Sequence, residues 1–148
     1  MKTKLIDDLN KLLPQMKTLA KEINKLENGD WHEYFDRNDP DEMFRLNTVF
    51  KVGDNLRTAY RALENMNASI IGQGTLYRND KGRYEYAPGH YYNSGSPIEF
   101  LYQDDDGEAT WIASSVEHNQ TDYYIVSHPK LDMNGLQVRE RARSPWGD

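Results

Sequence analysis

The first third of the chain repeats apolar residues at helical spacing. One set recurs by alternating steps of four and three residues, which is the a/d spacing of a heptad repeat: Leu5, Leu9, Leu12, Met16, Leu19, Ile23 and Leu26. We call this set the leucine stripe, and Ile6, Leu13 and Ala20 widen it on one side. A helix with such a stripe has to bury it, so the pattern predicts a partner for this helix.

Two signals bound this helix. Asn28-Gly29 marks its end, since glycine adopts the left-handed conformation after a helix without strain. Pro14 lies inside the pattern and leaves two alternatives, because proline removes one helical hydrogen bond. Either one helix kinks near Asn10, or a short helix ends and a second one begins with Pro14 in its first turn.

A second helix is predicted from Asp39-Pro40-Asp41-Glu42 to about Asn67. The aspartate suits the N-cap, proline the first turn, and glutamate the third helical position of a capping box. Apolar residues then recur at helical spacing. Two antiparallel helices joined by residues 29–39 would bury one apolar row against the other, so the leucine stripe is expected inside a hairpin and the protein is expected to be a monomer.

After Ser69 the apolar period changes from helical to two, and turn signals recur about every ten residues. The strands predicted between the turns are 73–78, 83–87, 97–103, 109–117, 122–127 and 136–142. The predicted fold is α+β: a helical hairpin over 1–69, followed over 70–148 by a five- to six-stranded antiparallel curled sheet or small barrel.

Composition narrows the setting. The 148 residues include no cysteine, which excludes disulfides and thiolate metal sites. Lys2 and Lys4 precede apolar residues that are spaced by helix turns, unlike a signal peptide, and no apolar run is long enough to span a bilayer. We expect a cytoplasmic protein that does not enter a membrane.

The net charge of −6 is concentrated in residues 27–42, which we call the acidic connector; it holds seven acids and a single basic residue, Arg37. The helical segments on either side are mildly basic, and the C-terminal half is acidic. A general nucleic-acid binder shows a broad basic surface, so this distribution argues against that class.

Three blocks of the C-terminal half resemble a family of domains of unknown function: GTLYRNDKGRYEY, SGSPIEFLYQDDDGEATWIASSVEHNQTDYYIV and GLQVRERAR. That family is carried by plasmids, phages and conjugative elements of Gram-positive bacteria, and the preceding helical segment resembles its members too. The resemblance implies an accessory protein of a mobile element, a class that includes anti-CRISPR proteins. It implies no catalytic residues.

The acidic connector is the leading candidate site. It carries a carboxylate every third residue through its centre, with aromatic residues between them, and it could occupy the basic groove of a nucleic-acid-binding enzyme. The predicted contacts are Asp30, Trp31, Glu33, Tyr34, Asp36, Asp39 and Glu42. The expected partner is a host protein such as a CRISPR effector nuclease or its guide-RNA complex. The competing interpretation is a solvated loop in which Trp31 staples the hairpin.

Two alternatives remain open. In the first, the protein is a nucleic-acid-binding module that stacks bases on tyrosines and contacts phosphates with arginines on one strand face: Tyr84, Tyr86, Arg139, Arg141 and Arg143. Against it, tyrosines also cover thin β cores. In the second, the leucine stripe mediates dimerisation.

The sequence contains little that indicates a catalytic or metal-binding site. The four histidines lack the helical pairing of a zinc hydrolase, and no serine lies in a nucleophile elbow. The cluster of Asp104, Asp105, Asp106 and Glu108 offers too few ligands to wrap a cation in a tight hairpin. A non-enzymatic protein without a metal or cofactor is therefore expected.

Overall fold

A computed structural model describes residues 2–143 as two compact units that meet between Asn67 and Ala68. The first unit contains helix α1 (Lys2–Glu27), a short 3-10 turn (Trp31–Glu33) and helix α2 (Pro40–Asn67). The second, which we call the β unit, is described over residues 68–143, and its regular elements there are strands. The α+β class and the order of helices before sheets are confirmed.

Helix α1 continues through Pro14 without a break in its helical assignment. Of the two sequence alternatives, two separate helices are therefore not formed. The Thr18 hydroxyl donates a hydrogen bond to the Pro14 carbonyl, 3.0 Å away, within the same stretch. Helix α2 is likewise continuous through Gly53, where a Cβ would overlap the Ile23 side chain of α1. That glycine lets the two helices approach closely.

Polar contacts define the antiparallel register of the helices. Asn67 donates to Asn10 at 2.8 Å near one end of the hairpin, and Arg57 donates to Asn24 at 3.1 Å near the other. Between them, the Lys17 ammonium lies 2.9 Å from the Glu64 carboxylate. The residues of α1 that face α2 thus include a row of polar side chains.

Four of the seven residues of the leucine stripe are left exposed, contrary to the expectation from its spacing that α2 would bury the stripe. Leu5, Leu9, Leu12 and Leu19 keep 61%, 38%, 49% and 42% of their surface exposed, whereas Ala20 in the neighbouring row is 2% exposed. The stripe and the row that contacts α2 differ by a single residue in sequence, which is a rotation of about 100° around the helix. Helix α2 covers the neighbouring row and leaves most of the stripe on the flank, although Met16, Ile23 and Leu26 are half-buried and Ile23 contacts α2 at Gly53.

The described part of the β unit has eight strands: β1 (Ile70–Thr75), β2 (Tyr77–Arg78), β3 (Tyr84–Ala87), β4 (His90–Tyr91), β5 (Pro97–Gln103), β6 (Ala109–His118), β7 (Tyr123–Ile125) and β8 (Gln137–Arg141). They form a five-stranded antiparallel sheet in the order β1-β8-β5-β6-β7 and a three-stranded antiparallel sheet in the order β2-β3-β4. Since β1 and β7 are opposite edges of the larger sheet, that sheet is open; of the two predicted alternatives, an antiparallel sheet is formed and a closed small barrel is not shown.

One face of the larger sheet forms the core of this unit. The buried cluster consists of Leu76, Tyr84, Tyr92, Ile98, Phe100, Val116, Ile125, Met133 and Val138. Tyr86 of the smaller sheet lies against Gly72 and Gly74 of β1, where any Cβ would overlap its side chain or backbone. The absence of side chains at these two positions is what lets the smaller sheet approach the larger one.

Among residues 2–143, neither helix combines the length and the apolar character that crossing a membrane requires.

Candidate functional site

Three carboxylates of the acidic connector shape its backbone. Asp36 Oδ1 accepts from the amide of Asn38 at 2.9 Å, and Asp39 Oδ1 accepts from the amide of Asp41 at 2.9 Å, as an N-cap does. Glu42 reaches back to accept from the amide of Asp36. In a capping box, the glutamate at the third helical position accepts from the amide of the N-cap residue, which here would be Asp39. Glu42 instead accepts from the amide of Asp36, three residues earlier, so the arrangement is a variant of the capping box.

The other connector acids point into solvent. Asp30, Glu33 and Asp41 are exposed, and so is Glu27 at the end of α1. Within residues 2–143, no ion pair joins an acid of the connector to a lysine or arginine. As far as the described residues go, the carboxylates of this segment are therefore not paired with a cationic side chain, and their field extends into solvent within the range that salt allows.

The aromatic residues of the connector divide into two groups. Tyr34 keeps 71% of its surface exposed. Trp31 is half-buried with its ring centroid 3.6 Å from that of His32, and Phe35 is half-buried as well. The connector thus presents one free aromatic side chain among exposed carboxylates, while the other two aromatic residues pack partly against the protein.

The tyrosines proposed to stack bases are engaged within the β unit. Tyr84 is 6% exposed and its hydroxyl donates to Asp122 at 3.3 Å. The hydroxyl of Tyr86 donates to Glu140 at 2.5 Å, and burial together with this hydrogen bond raises the pKa of Tyr86 to about 12. The ring of Tyr84 is a core element, so it offers no face to a base.

The proposed phosphate-binding arginines are paired with a carboxylate. Glu99 of β5 lies opposite Arg139 of β8, and it receives hydrogen bonds from Arg139 Nη2 at 3.1 Å and Arg141 Nε at 2.9 Å. These side chains are only 12%, 18% and 15% exposed, in the order Glu99, Arg139, Arg141. Burial alone would raise the pKa of Glu99, but the hydrogen bonds and charges of the two arginines outweigh it and hold that pKa below its ordinary value.

Further contacts fix these arginines in place. The guanidinium of Arg139 lies 4.3 Å from the ring centroid of Trp111 on β6, within cation–π range. Arg139 Nε lies 3.0 Å from Glu99 Oε2 as part of the same ion pair, without a hydrogen bond at this nitrogen. Arg141 Nη1 donates to the carbonyl of Ala68 at 2.8 Å. Arg143, beyond the end of β8, is exposed.

Sequence reasoning did not identify Glu99 or Trp111. The signal for Glu99 was present, since a glutamate between Ile98 and Phe100 in a strand faces away from the core and has to be satisfied there. Its partners were not visible, because Arg139 and Arg141 lie some forty residues further along the chain. Within residues 2–143, no cluster of histidine and acidic side chains has the geometry to hold a metal ion.

One family model matches part of the chain. Residues 74–140 match a family described as "Domain of unknown function (DUF5348)", from within β1 to the penultimate residue of β8. Both helices and the acidic connector lie outside the matched segment. No curated protein and no solved structure matches the chain.

Proposed function

We propose that this chain is a non-enzymatic binding protein that uses the acidic connector to occupy a cationic surface of its partner. The observation behind this proposal is that Asp30, Glu33 and Asp41 are exposed and form no ion pair with a lysine or arginine of residues 2–143, while Tyr34 of the same segment is exposed as well. The partner we propose is a host nuclease that handles nucleic acid, such as a CRISPR effector, which the protein would inhibit.

The acids of the connector have two different roles in this proposal. Asp36, Asp39 and Glu42 hold the backbone through the hydrogen bonds described above. Asp30 and Glu33 lie at the 3-10 turn, where the amides of Glu33 and Tyr34 donate to the carbonyls of Asp30 and Trp31 at 3.0 Å; such backbone hydrogen bonds lower the entropy lost on binding. Exposed like charges of this kind steer a cationic partner and raise the association rate, and Tyr34 supplies the kind of aromatic anchor found in binding hot spots.

The biological setting follows from the resemblance of the β unit to accessory proteins of mobile elements. Grooves that hold guide RNA or target DNA are lined with lysine and arginine, so a row of carboxylates can compete with phosphates for the same groups. A stoichiometric inhibitor of this type needs no catalytic residue.

The test compares two variants with the same change in charge. In the connector variant, Glu27→Gln, Asp30→Asn, Glu33→Gln and Asp41→Asn remove four exposed acids that hold no backbone hydrogen bond. In the control, Asp80→Asn, Asp105→Asn, Asp106→Asn and Glu108→Gln do the same in exposed turns of the β unit. Binding to a purified guide-loaded CRISPR nuclease, and inhibition of its cleavage, are measured for both.

The connector variant should bind about 10-fold or more weakly, with an unchanged melting temperature, and the control should bind like the wild type. Equal affinity of the two variants would remove the connector as the contact surface. Gel-shift assays with bare RNA and DNA at two salt concentrations address the nucleic-acid alternative. With Tyr84 buried and Arg139 and Arg141 bound to Glu99, we expect no salt-sensitive shift.

A further inference from the structure

The exposed leucine stripe of α1 has a counterpart on α2. There, apolar residues recur by steps of three and four: Val49, Val52, Leu56, Ala59 and Leu63. Val52 is 46% exposed and Ala59 is exposed as well, while the rest of this set is half-buried. We call this set the α2 row. Each helix of the hairpin therefore carries a heptad-spaced apolar row that is only partly covered by the other helix: Ile23 of the stripe contacts α2 at Gly53, while the leucines of the stripe N-terminal to it stay exposed.

The leucine stripe and the α2 row lie on the same face of the hairpin. On α1, the residues bonded to α2 are Asn10, Lys17 and Asn24, and the stripe residues Leu9, Met16 and Ile23 directly precede them. On α2, the residues bonded to α1 include Arg57 and Glu64, and the row residues Leu56 and Leu63 directly precede them. On each helix, the apolar row thus lies one residue before the side chains that bond to the other helix. One residue is a rotation of about 100° around the helix axis, and its direction, seen along the chain, is the same on both helices. In antiparallel helices, equal turns of this kind point to the same side.

The size of this face suits a specific interface. A helix of 26 residues is about 39 Å long, and two helices packed about 9 Å apart present a surface roughly 18 Å wide. Two such faces in contact would bury on the order of 1,400 Å², within the range of stable protein–protein interfaces. The junction between α1 and α2 is partly polar, so this flank holds a large share of the apolar side chains of the unit.

We propose that a second copy of this chain covers the face, so that two hairpins pack as a four-helix bundle. Rows with a 3.5-residue repeat interlock with helices of the same repeat, and each copy brings two such rows. A two-fold axis would place the same face on both sides, which is the commonest arrangement in homo-oligomers. This inference is independent of the function proposed for the acidic connector.

The test is the mass of the full chain in solution, by sedimentation velocity and light scattering over a range of concentrations. The wild type should show twice the monomer mass of 17.3 kDa. Leu12→Gln combined with Leu19→Gln places four polar side chains in the dimer interface and should weaken association at least about 100-fold.

Phe44→Gln is the matched control. Phe44 is 72% exposed on α2 but lies outside the α2 row, so this variant should remain a dimer. Val52→Lys is the second interface variant; it changes a side chain that is already half exposed, and it should also give monomers that retain helical circular dichroism. A monomeric wild type at its highest soluble concentration would overturn the proposal, and so would a dimer that persists in folded Leu12→Gln/Leu19→Gln and Val52→Lys variants.

Discussion

The helical hairpin and the β unit are of similar length, but they bury their apolar residues very differently. The β unit has a continuous core in which Phe100, Val116, Ile125 and Val138 are fully buried. In the hairpin, the buried side chains within residues 2–67 are Ala20, Leu46 and Tyr60, and several leucines remain in solvent. The β unit can thus be stabilised by its own interior, whereas the hairpin needs a further surface.

The difference has a geometric origin. In an antiparallel sheet every second side chain faces the same side, so several short strands combine their apolar residues into one layer that a second sheet can cover. A helix in a two-helix hairpin has a single neighbour, which covers only part of an apolar face wider than 100°. Two helices alone therefore cannot bury the leucine stripe together with the side chains between them.

The largest expected effect is the loss of the β core. Phe100→Ala removes a side chain with no exposed surface and should cost about 3–5 kcal/mol in the free energy of unfolding. Denaturant titration gives this value. The control is Phe44→Ala on α2. Phe44 is 72% exposed, so this substitution should change the free energy of unfolding by no more than about 0.5 kcal/mol. Similar costs for the two variants would contradict the contrast between the units.

The second prediction concerns the ion pairs that Glu99 of β5 forms with Arg139 and Arg141 of β8. Glu99→Gln leaves Arg139 and Arg141 without their carboxylate and should cost about 3 kcal/mol at neutral pH. Because the folded-state pKa of Glu99 is lowered, the stabilisation from its charge is present above the ordinary carboxyl pKa of 4.5 and is lost as pH falls through the lowered value. The difference between wild type and variant should therefore shrink in acid. If the difference in unfolding free energy between the wild type and Glu99→Gln does not vary with pH, the charge of Glu99 does not stabilise the fold.

The third prediction tests the contact between the two sheets. Gly74→Ala would place a methyl group against the backbone and ring of Tyr86 and should cost about 1–3 kcal/mol. Gln73→Ala, at the neighbouring exposed position of β1, is the control and should change stability by less than about 0.5 kcal/mol. Thermal unfolding measures the stability of both variants. If Gly74→Ala is neutral, the smaller sheet does not rest closely on β1.

The smallest effect is expected at the polar junction of the hairpin. The Lys17 and Glu64 side chains are 23% and 24% exposed, so their ion pair is partly screened by solvent. A double-mutant cycle with Lys17→Met and Glu64→Gln should give a coupling free energy of about 0.5–1 kcal/mol. Coupling well above this range would show that the hairpin is held mainly by its polar contacts, and the need for a further apolar interface would disappear.

Local patterns in the sequence located many elements. The predicted strand 97–103 coincides with β5, and β6 extends the predicted 109–117 by one residue, because turn residues flank both. Asp39 acts as the N-cap of α2, as its position before Pro40 indicated. These features depend on neighbours within a few residues, which is the range that a single sequence reveals.

Features that depend on distant residues were not predictable. The predicted strand 73–78 divides at buried Leu76 into β1 and β2 of two different sheets, because Leu76 bonds to the loop before β8 through the carbonyl of Leu136. The burial of Tyr84 and the pairing of Glu99 with Arg139 depend on the same long-range register. The period of α1 identified its apolar face, but not that α2 would pack mainly on the neighbouring row, around Ala20, and leave four leucines of the stripe exposed.

The contrast between the units is tested most directly by hydrogen exchange of the full chain, followed by mass spectrometry at low and high protein concentration. Amides of α1 and α2 should become more protected as the concentration rises, because association stabilises the hairpin, while amides of β5, β6 and β8 should exchange at the same rate throughout. Protection of the helices that does not depend on concentration and equals that of the strands would contradict this account.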